Sequence, residues 1–381
     1  MNEQRYAVAA ASIFDGEVVR NNGAVIIDQE RIAAIVPRRD VPAGIPLHEL
    51  PDGAWLAPGF IDVQVNGGGD VLFNNEPTPE GIAKIAAAHR RFGTTSLLPT
   101  LITDSDDKMR AARAAADAAM QTLPGVLGIH FEGPFLSPEK CGVHDPSLMR
   151  APNSSHRDSF SGYPGVTLVT LAPERVPDGF IRALAGSGVR VSLGHSMATY
   201  EETRSAIADG LTGFTHLFNA MRPMSAREPG PIAAALESPG CWYGVIVDGI
   251  HVAPTMLRLA LKGAGAPMLV TDALPNVGGV KKSFTLYGRE IIVNGQRVTM
   301  KDGTLAGSGI DMATAVRNCV KLLGVSLADA LRFASRAPAE FLGLGDRFGR
   351  IAPAYRADMV AIDPTTIRVL GTYLAGTYES A

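Results

Sequence analysis

Cysteine is scarce in this chain: there are three in 381 residues, Cys141, Cys241 and Cys319, odd in number and without a Cys-x-x-Cys pair. That suggests neither a disulfide framework nor a thiolate metal site and fits a reducing, cytoplasmic setting. An excess of one charge is also missing. Lys plus Arg total 35 against 38 Asp plus Glu, a formal net charge of −3, so there is no electrostatic footprint for nucleic acid or for an anionic membrane. No apolar run approaches the ~20 residues needed to cross a bilayer. The N-terminal Met1-Asn2-Glu3-Gln4-Arg5 leads into a short apolar stretch, Ala7–Phe14, that ends at Asp15-Gly16 rather than at a cleavage site. No secretory signal is expected. What is abundant is apolar content, 46% against 19% charged, enough for a sizeable core and too much for a disordered chain.

At ~100–200 residues per domain the length allows two or three domains, or one large barrel with an appendage. Residues 1–54 read as short strands broken by turns: Tyr6–Phe14, Ala24–Asp28 and Arg31–Val36 ahead of Pro37. From about residue 55 buried apolar runs alternate with Ala-rich helical stretches, the pattern of a parallel sheet wrapped by helices. Eight such runs can be counted: Phe60–Val65, Thr95–Pro99, Val126–Phe131, Val166–Leu171, Val189–Leu193, Gly213–Leu217, Tyr243–Val247 and Met268–Thr271. Helices are expected over Thr78–Phe92, Asp104–Gln121, Ala198–Asp209, Pro254–Lys262, Asp311–Leu323 and Leu327–Leu342. Eight strand–helix units predict an α/β fold, a (β/α)8 TIM-type barrel over 55–348. A β-hairpin insertion near 280–303 is signalled by Val293-Asn294-Gly295-Gln296. The tail from 349 to 381 returns to strand-like text, Asp358–Asp363 and Thr366–Leu370, and is expected to join the first 54 residues in a small β-sandwich domain.

In such barrels function collects on the face where the strands end. The polar residues obey that rule: strand three ends in His130-Phe131-Glu132-Gly133-Pro134, strand five in Gly194-His195-Ser196, strand six in Thr215-His216-Leu217-Phe218-Asn219 and strand eight in Thr271-Asp272-Ala273. One Glu, two His and one Asp from four strands suit a hard or borderline divalent metal with an open position for water, and hence hydrolysis. Either histidine alone reads equally as a satisfied core group. Glu132 is different, because a carboxylate in an apolar strand is costly to bury unless paired or metal-bound. His48, His89 and His156 read as solvated or structural, and the Ala and Met residues of 111–120 as helix packing.

These motifs, together with Ala220-Met221, Arg227-Glu228-Pro229-Gly230 and Val247-Asp248-Gly249-Ile250-His251, resemble those of the N-acetylglucosamine-6-phosphate deacetylases of the amidohydrolase superfamily. Leu56-Ala57-Pro58-Gly59-Phe60-Ile61-Asp62 and Gly349-Arg350-Ile351-Ala352-Pro353 resemble the superfamily's entry strand and closing β segment. The resemblance implies hydrolysis of an N-acetyl amino sugar phosphate in amino sugar catabolism and cell-wall sugar recycling. It assigns Glu132, His195 and His216 to one divalent metal ion per subunit, zinc first, with iron or another divalent ion as alternatives. Asp272 would be the general base that takes a proton from the attacking water and passes it to the leaving amine, and His144 would help to stabilise the oxyanion. Asn219, the backbone N–H of Ala220, Arg227 and His251 would bind phosphate, with Arg227 and His251 reaching the neighbouring site of a homodimer. Cys141, Gly142, Val143, Leu305, Ala306 and Gly307 are further candidate substrate contacts.

One departure stands out. Many amidohydrolases place His-x-His at the end of the first strand for a second metal, whereas here those positions are Gln64 and Asn66, and amides are weak ligands beside imidazole. One tightly held metal is therefore expected rather than two. The competing readings are a galactosamine epimer or a free sugar as substrate, a cyclic amide, and a non-catalytic scaffold. Asn219, Arg227 and His251 argue against the cyclic amide, and no barrel strand offers an obvious lysine for carboxylation. The complete set Glu132, His195, His216 and Asp272 argues against the scaffold.

Overall fold

The architecture, taken from a computed structural model, is described for residues 5–381, with Ser154 and Ser155 by backbone alone. The chain parts into two compact units. One holds the described residues through Asp62, His89–Ser96 and Asp311–Ala381; the other holds Val63–Ala88 and Leu97–Ile310. The boundary expected at 348/349 thus falls inside the first unit, and the helices that follow Asp311 group with the chain ends.

Eight parallel strands form the barrel: Phe60–Val65, Thr94–Ile102, Gly128–Glu132, Val166–Leu171, Arg190–Leu193, Gly213–Phe214, Trp242–Val245 and Ala266–Leu269. They lie side by side in chain order. Val65 also pairs in parallel with Ala273, just past the eighth strand, which brings the first strand to the last. All eight expected runs are present, so the (β/α)8 fold is as predicted. Thr94–Ile102 is buried at every position, which is why barrel strands read as continuous apolar text rather than alternating text.

The connecting helices follow local rules. Asp106–Thr122 starts where the Ser105 side chain accepts a hydrogen bond from the Lys108 amide, and it buries Met109, Ala112, Ala115, Ala116 and Ala119 on one face. Tyr200–Ala208 opens with a reciprocal cap between Thr199 and Glu202.

The chain ends build an eight-stranded sheet of their own, in which Met359–Ile362 runs antiparallel to Trp55–Pro58. Its core includes Val8, Ile13, Val25, Ile27, Leu56, Met359 and Tyr373. The expected joining of the two termini is therefore present. Among the described residues no helix is long and apolar enough to cross a membrane.

Three local expectations are corrected. The helix expected over Leu327–Leu342 breaks into Leu327–Ala334 and Arg336–Phe341. Ser335 leaves the helical region and its hydroxyl bonds the Leu331 carbonyl at 2.7 Å, while Pro338 in the following turn has no N–H to continue the ladder. The strand expected over Thr366–Leu370 begins only at Val369, because the Asp363 carboxylate captures the Thr365 and Thr366 amides in a turn. The insertion is more than one hairpin. Ser283–Leu286, Arg289–Asn294, Arg297–Thr299 and Leu305–Ser308 form an antiparallel sheet of four.

Candidate metal centre

Glu132, the last residue of the third strand, is 2% exposed. The next residue must be Gly133: its φ is +95°, and a Cβ there would come within 2.3 Å of Thr103 Oγ1. His195, His216 and Asp272 lie just beyond the fifth, sixth and eighth strands with φ of +49°, +34° and +52°. Three non-glycine residues in the left-handed region at one barrel mouth, each costing about 1–3 kcal/mol, mark a site held in place by its surroundings. Nothing in the sequence signalled this strain.

Three ligand atoms converge there. Glu132 Oε1 lies 3.1 Å from His195 Nε2 and 3.0 Å from His216 Nε2, and the two imidazole nitrogens are 3.0 Å apart. His195 Nδ1 lies 2.7 Å from the Lys140 carbonyl, which only accepts. The proton therefore sits on Nδ1, and Nε2 turns a lone pair toward Glu132. Two nitrogens facing each other at 3.0 Å cannot both carry a proton between them. A cation at the centre satisfies all three electron pairs at once, so the donor set fits a divalent ion held by Glu132, His195 and His216. Glu132, His144 and His195 also meet the spacing of a metal-ligand group. His144 is differently set, however: its Nδ1 lies 2.8 Å from Thr103 Oγ1 and accepts from the Thr103 amide at 3.4 Å. An amide only donates, so the neutral ring keeps its proton on Nε2, as a donor rather than a ligand. Burial first, and the neighbouring His195 second, hold its pKa well below the usual value.

The two amides at the end of the first strand hold carboxylates. Gln64 Nε2 donates to both Glu132 oxygens, at 3.3 and 3.2 Å, and to Asp272 Oδ1 at 3.2 Å; Asn66 Nδ2 donates to Asp272 Oδ1 at 2.6 Å. Burial pushes the Glu132 carboxyl up, but the adjoining His195 and His216 outweigh it and hold it well below the ordinary range. Asp272 moves the other way, to about 7, because it is buried and faces the Glu132 charge; His216, His251 and Asn66 oppose the shift without reversing it.

A cavity of about 340 Å³ opens over this cluster. Asn219, Ala220, His251, Gly142, Val143, Leu305, Ala306 and Gly307 all line it. Two candidates do not: the wall passes from Lys140 to Gly142 without Cys141, and Arg227 lies exposed on the loop before Gly230. The placement expected for His251 is corrected, since it lines this chain's own cavity, with Nδ1 2.6 Å from Asp248 Oδ2. Thr103, Gln64 and Asn66 as partners of the cluster, and Leu286 in the cavity wall, were not expected; their side chains look ordinary in the sequence and acquire roles only through contacts remote in the chain. Of the histidines read as structural, His89 is fully buried and His156 lies 3.1 Å from Asp106.

A parallel barrel whose mouth gathers a buried carboxylate, two imidazoles and an aspartate whose pKa is raised is the frame of a metal-assisted hydrolase. Residues 55–378 match the model of the amidohydrolase family, and residues 5–56 that of the NagA composite domain. The chain belongs to the amidohydrolase family and is a hydrolase. It is 42% identical to N-acetylgalactosamine-6-phosphate deacetylase of Shewanella sp. (strain ANA-3), over 87% of this chain and 84% of that protein. It is 34% identical to N-acetylglucosamine-6-phosphate deacetylase of Haemophilus influenzae, over 98% and 99%. The crystal structure of N-acetylglucosamine-6-phosphate deacetylase from Pasteurella multocida superposes with a TM-score of 0.95 at 35% identity, covering 99% of this chain and 100% of that one.

Proposed function

We propose that this chain hydrolyses the acetamido group of N-acetyl-D-glucosamine 6-phosphate, giving acetate and D-glucosamine 6-phosphate, in amino sugar catabolism and cell-wall sugar recycling. The observation that carries the reading is the placement of Asp272 beside the Glu132–His195–His216 triangle, joined to it by Gln64. Lewis acidity, polarising the amide carbonyl and acidifying the attacking water, is what a divalent ion held by that triangle supplies. Asp272 Oδ2 takes the proton of the attacking water, while Asn66 and Gln64 hold Oδ1. The same carboxyl then gives the proton to the departing nitrogen, which a group titrating near neutrality can do. His144 directs Nε2–H at the cavity, where it is suited to the developing oxyanion. Asn219, Ala220 and His251 take the phosphate, joined by Arg227 from a second copy in a homodimer.

The galactosamine epimer is the second reading, favoured by the 42% identity to the Shewanella enzyme. The test is acetate release from phosphorylated and free N-acetylglucosamine and N-acetylgalactosamine, with metal content determined on the same sample. Release from the phosphorylated gluco sugar at the highest kcat/KM, with about one metal per chain, supports the reading. A galacto preference establishes the alternative, and no release from any of the four removes both.

A further inference from the structure

The four-stranded insertion supplies an apolar side of the cavity. Leu286, 2% exposed, lines the cavity and packs in one cluster with Leu72, Ile102, Val143, Leu274 and Ala306. Two of these neighbours are tied to the reacting groups: Val143 precedes His144, and Ile102 precedes Thr103, which holds His144 Nδ1. The hairpin that carries Leu286 is fixed on both sides. Asn75 Nδ2 donates to the Thr285 carbonyl at 2.7 Å, and the Tyr287 hydroxyl donates to the Thr103 carbonyl. Tyr287 and Gly288 turn the chain with φ of +51° and +72°, the backbone of a tight two-residue hairpin. Leu286 is therefore held at the cavity wall on a rigid support, in one apolar cluster with Val143, the neighbour in sequence of His144, and the same cavity is also lined by the polar groups Asp272, Asn66 and His251.

An N-acyl amide has one apolar end, the acyl chain, attached to the same carbon as the oxygen that His144 faces. Resting on the deacetylase reading, we infer that Leu286, with Leu72, Ile102 and Val143, is the acyl-selecting wall of this enzyme: it receives the acetyl methyl and excludes longer acyl chains. The selection is steric, so a shorter residue at 286 makes room for added methylenes. Discrimination by about one methylene in an apolar pocket is worth about 10–200-fold.

The test uses the metal-loaded full chain and amine release from N-acetyl- and N-propionylglucosamine 6-phosphate, comparing wild type with Leu286→Ala and Leu286→Val. The propionyl-to-acetyl ratio of kcat/KM should rise about 10-fold in Leu286→Ala and less in Leu286→Val. A merely structural role would lower both rates and leave the ratio unchanged. Leu286→Val, which keeps most of the packing, provides the ratio should Leu286→Ala fail to fold. An unchanged ratio in the folded variants, with wild type active on the acetyl sugar, overturns the inference alone. Where wild type prefers the galacto sugar, the same ratio is read on the N-acetyl- and N-propionylgalactosamine 6-phosphates; no amine from either acetyl sugar phosphate with wild type overturns the deacetylase reading and the inference with it.

Discussion

Each of the two units buries a carboxylate, and they neutralise it differently. In the unit built from the chain ends Asp358 is 7% exposed and pairs with the Arg356 guanidinium, accepts from the Ala375 amide at 2.8 Å, and has Arg356 in turn packed over the Phe348 ring at 4.5 Å. At the barrel mouth Glu132 and Asp272 are both buried, and no lysine or arginine among the described residues pairs with either. Amides and histidines do the holding there. The first arrangement is complete within the chain. The second gathers two carboxylates and the His195 lone pair with no lysine or arginine to balance them, an arrangement that a divalent ion supplied from outside would complete. A buried charge with an internal partner is structure, and a buried charge without one is a site.

The largest effect should come from removing that cation. Dialysis against a chelator should abolish turnover and lower Tm by several degrees, because an ion that binds only the folded state stabilises it by mass action. Readdition of about one equivalent per chain should restore both. His195→Gln should lower occupancy, read by elemental analysis. Two equivalents needed for full activity would show that Gln64 and Asn66 help to hold a second ion.

Next is the proposed acid–base group. Asp272→Asn should keep its metal and lose about 10²–10⁴-fold in kcat, because the amide is similar in size but cannot accept the proton. Near-normal turnover would remove Asp272 from the chemistry.

The comparison predicts the opposite pattern in the other unit. Arg356→Ala leaves Asp358 buried without its cation, so stability should fall by about 3–5 kcal/mol at pH 7 while metal content and kcat of the folded fraction stay unchanged. The pH dependence has a definite sign. Burial holds the folded-state pKa of Asp358 above its ordinary value even against Arg356. The folded protein therefore retains a proton that the unfolded chain loses near about pH 4, and this group's contribution to stability falls as pH rises from there to the folded pKa. Without Arg356 that fall should steepen, so denaturation curves of the variant and wild type should lie closer together near pH 4 than at pH 7.

The smallest effect belongs to the other arginine. Arg227 is exposed, with no ion pair to it among the described residues. Arg227→Ala should raise KM for the 6-phosphorylated sugar by about 30- to 1000-fold, equivalent to about 2–4 kcal/mol for a desolvated bidentate contact, and barely change activity on the free sugar. An ordinary solvated arginine would shift either within about 0.5 kcal/mol. Equal loss on both sugars would tie Arg227 to assembly instead.

How much of this was legible before folding depends on whether the signal is local. The eight strands could be counted because a strand buried on both faces needs consecutive apolar side chains, and Glu132, His195, His216 and Asp272 could be located because they interrupt or end such runs. Helix ends with side-chain caps, such as Ser105 and Thr199, were within a few residues of their expected positions. The break at Ser335 was missed although Pro338 inside the expected helix was a local signal for it; what the sequence does not show is that the Ser335 hydroxyl bonds the preceding turn.

The sequence by itself determined the order of elements and the chemical types at the barrel mouth, because periodicity and the cost of burying charge act along the chain. Tertiary structure alone decided what those residues became. The proton positions on His195 and His144 follow from Lys140 and Thr103, at sequence distances of 55 and 41 residues. Gln64 and Asn66 read as lost ligands in the chain and serve as carboxylate donors in the fold, with Asp272 more than 200 residues away. His251 entered this chain's own cavity, and a segment that read as one hairpin became a four-stranded wall. These outcomes depend on which groups meet across the closed barrel, and hydrogen-bond direction, burial and charge at a point are set by neighbours in space rather than by neighbours in sequence.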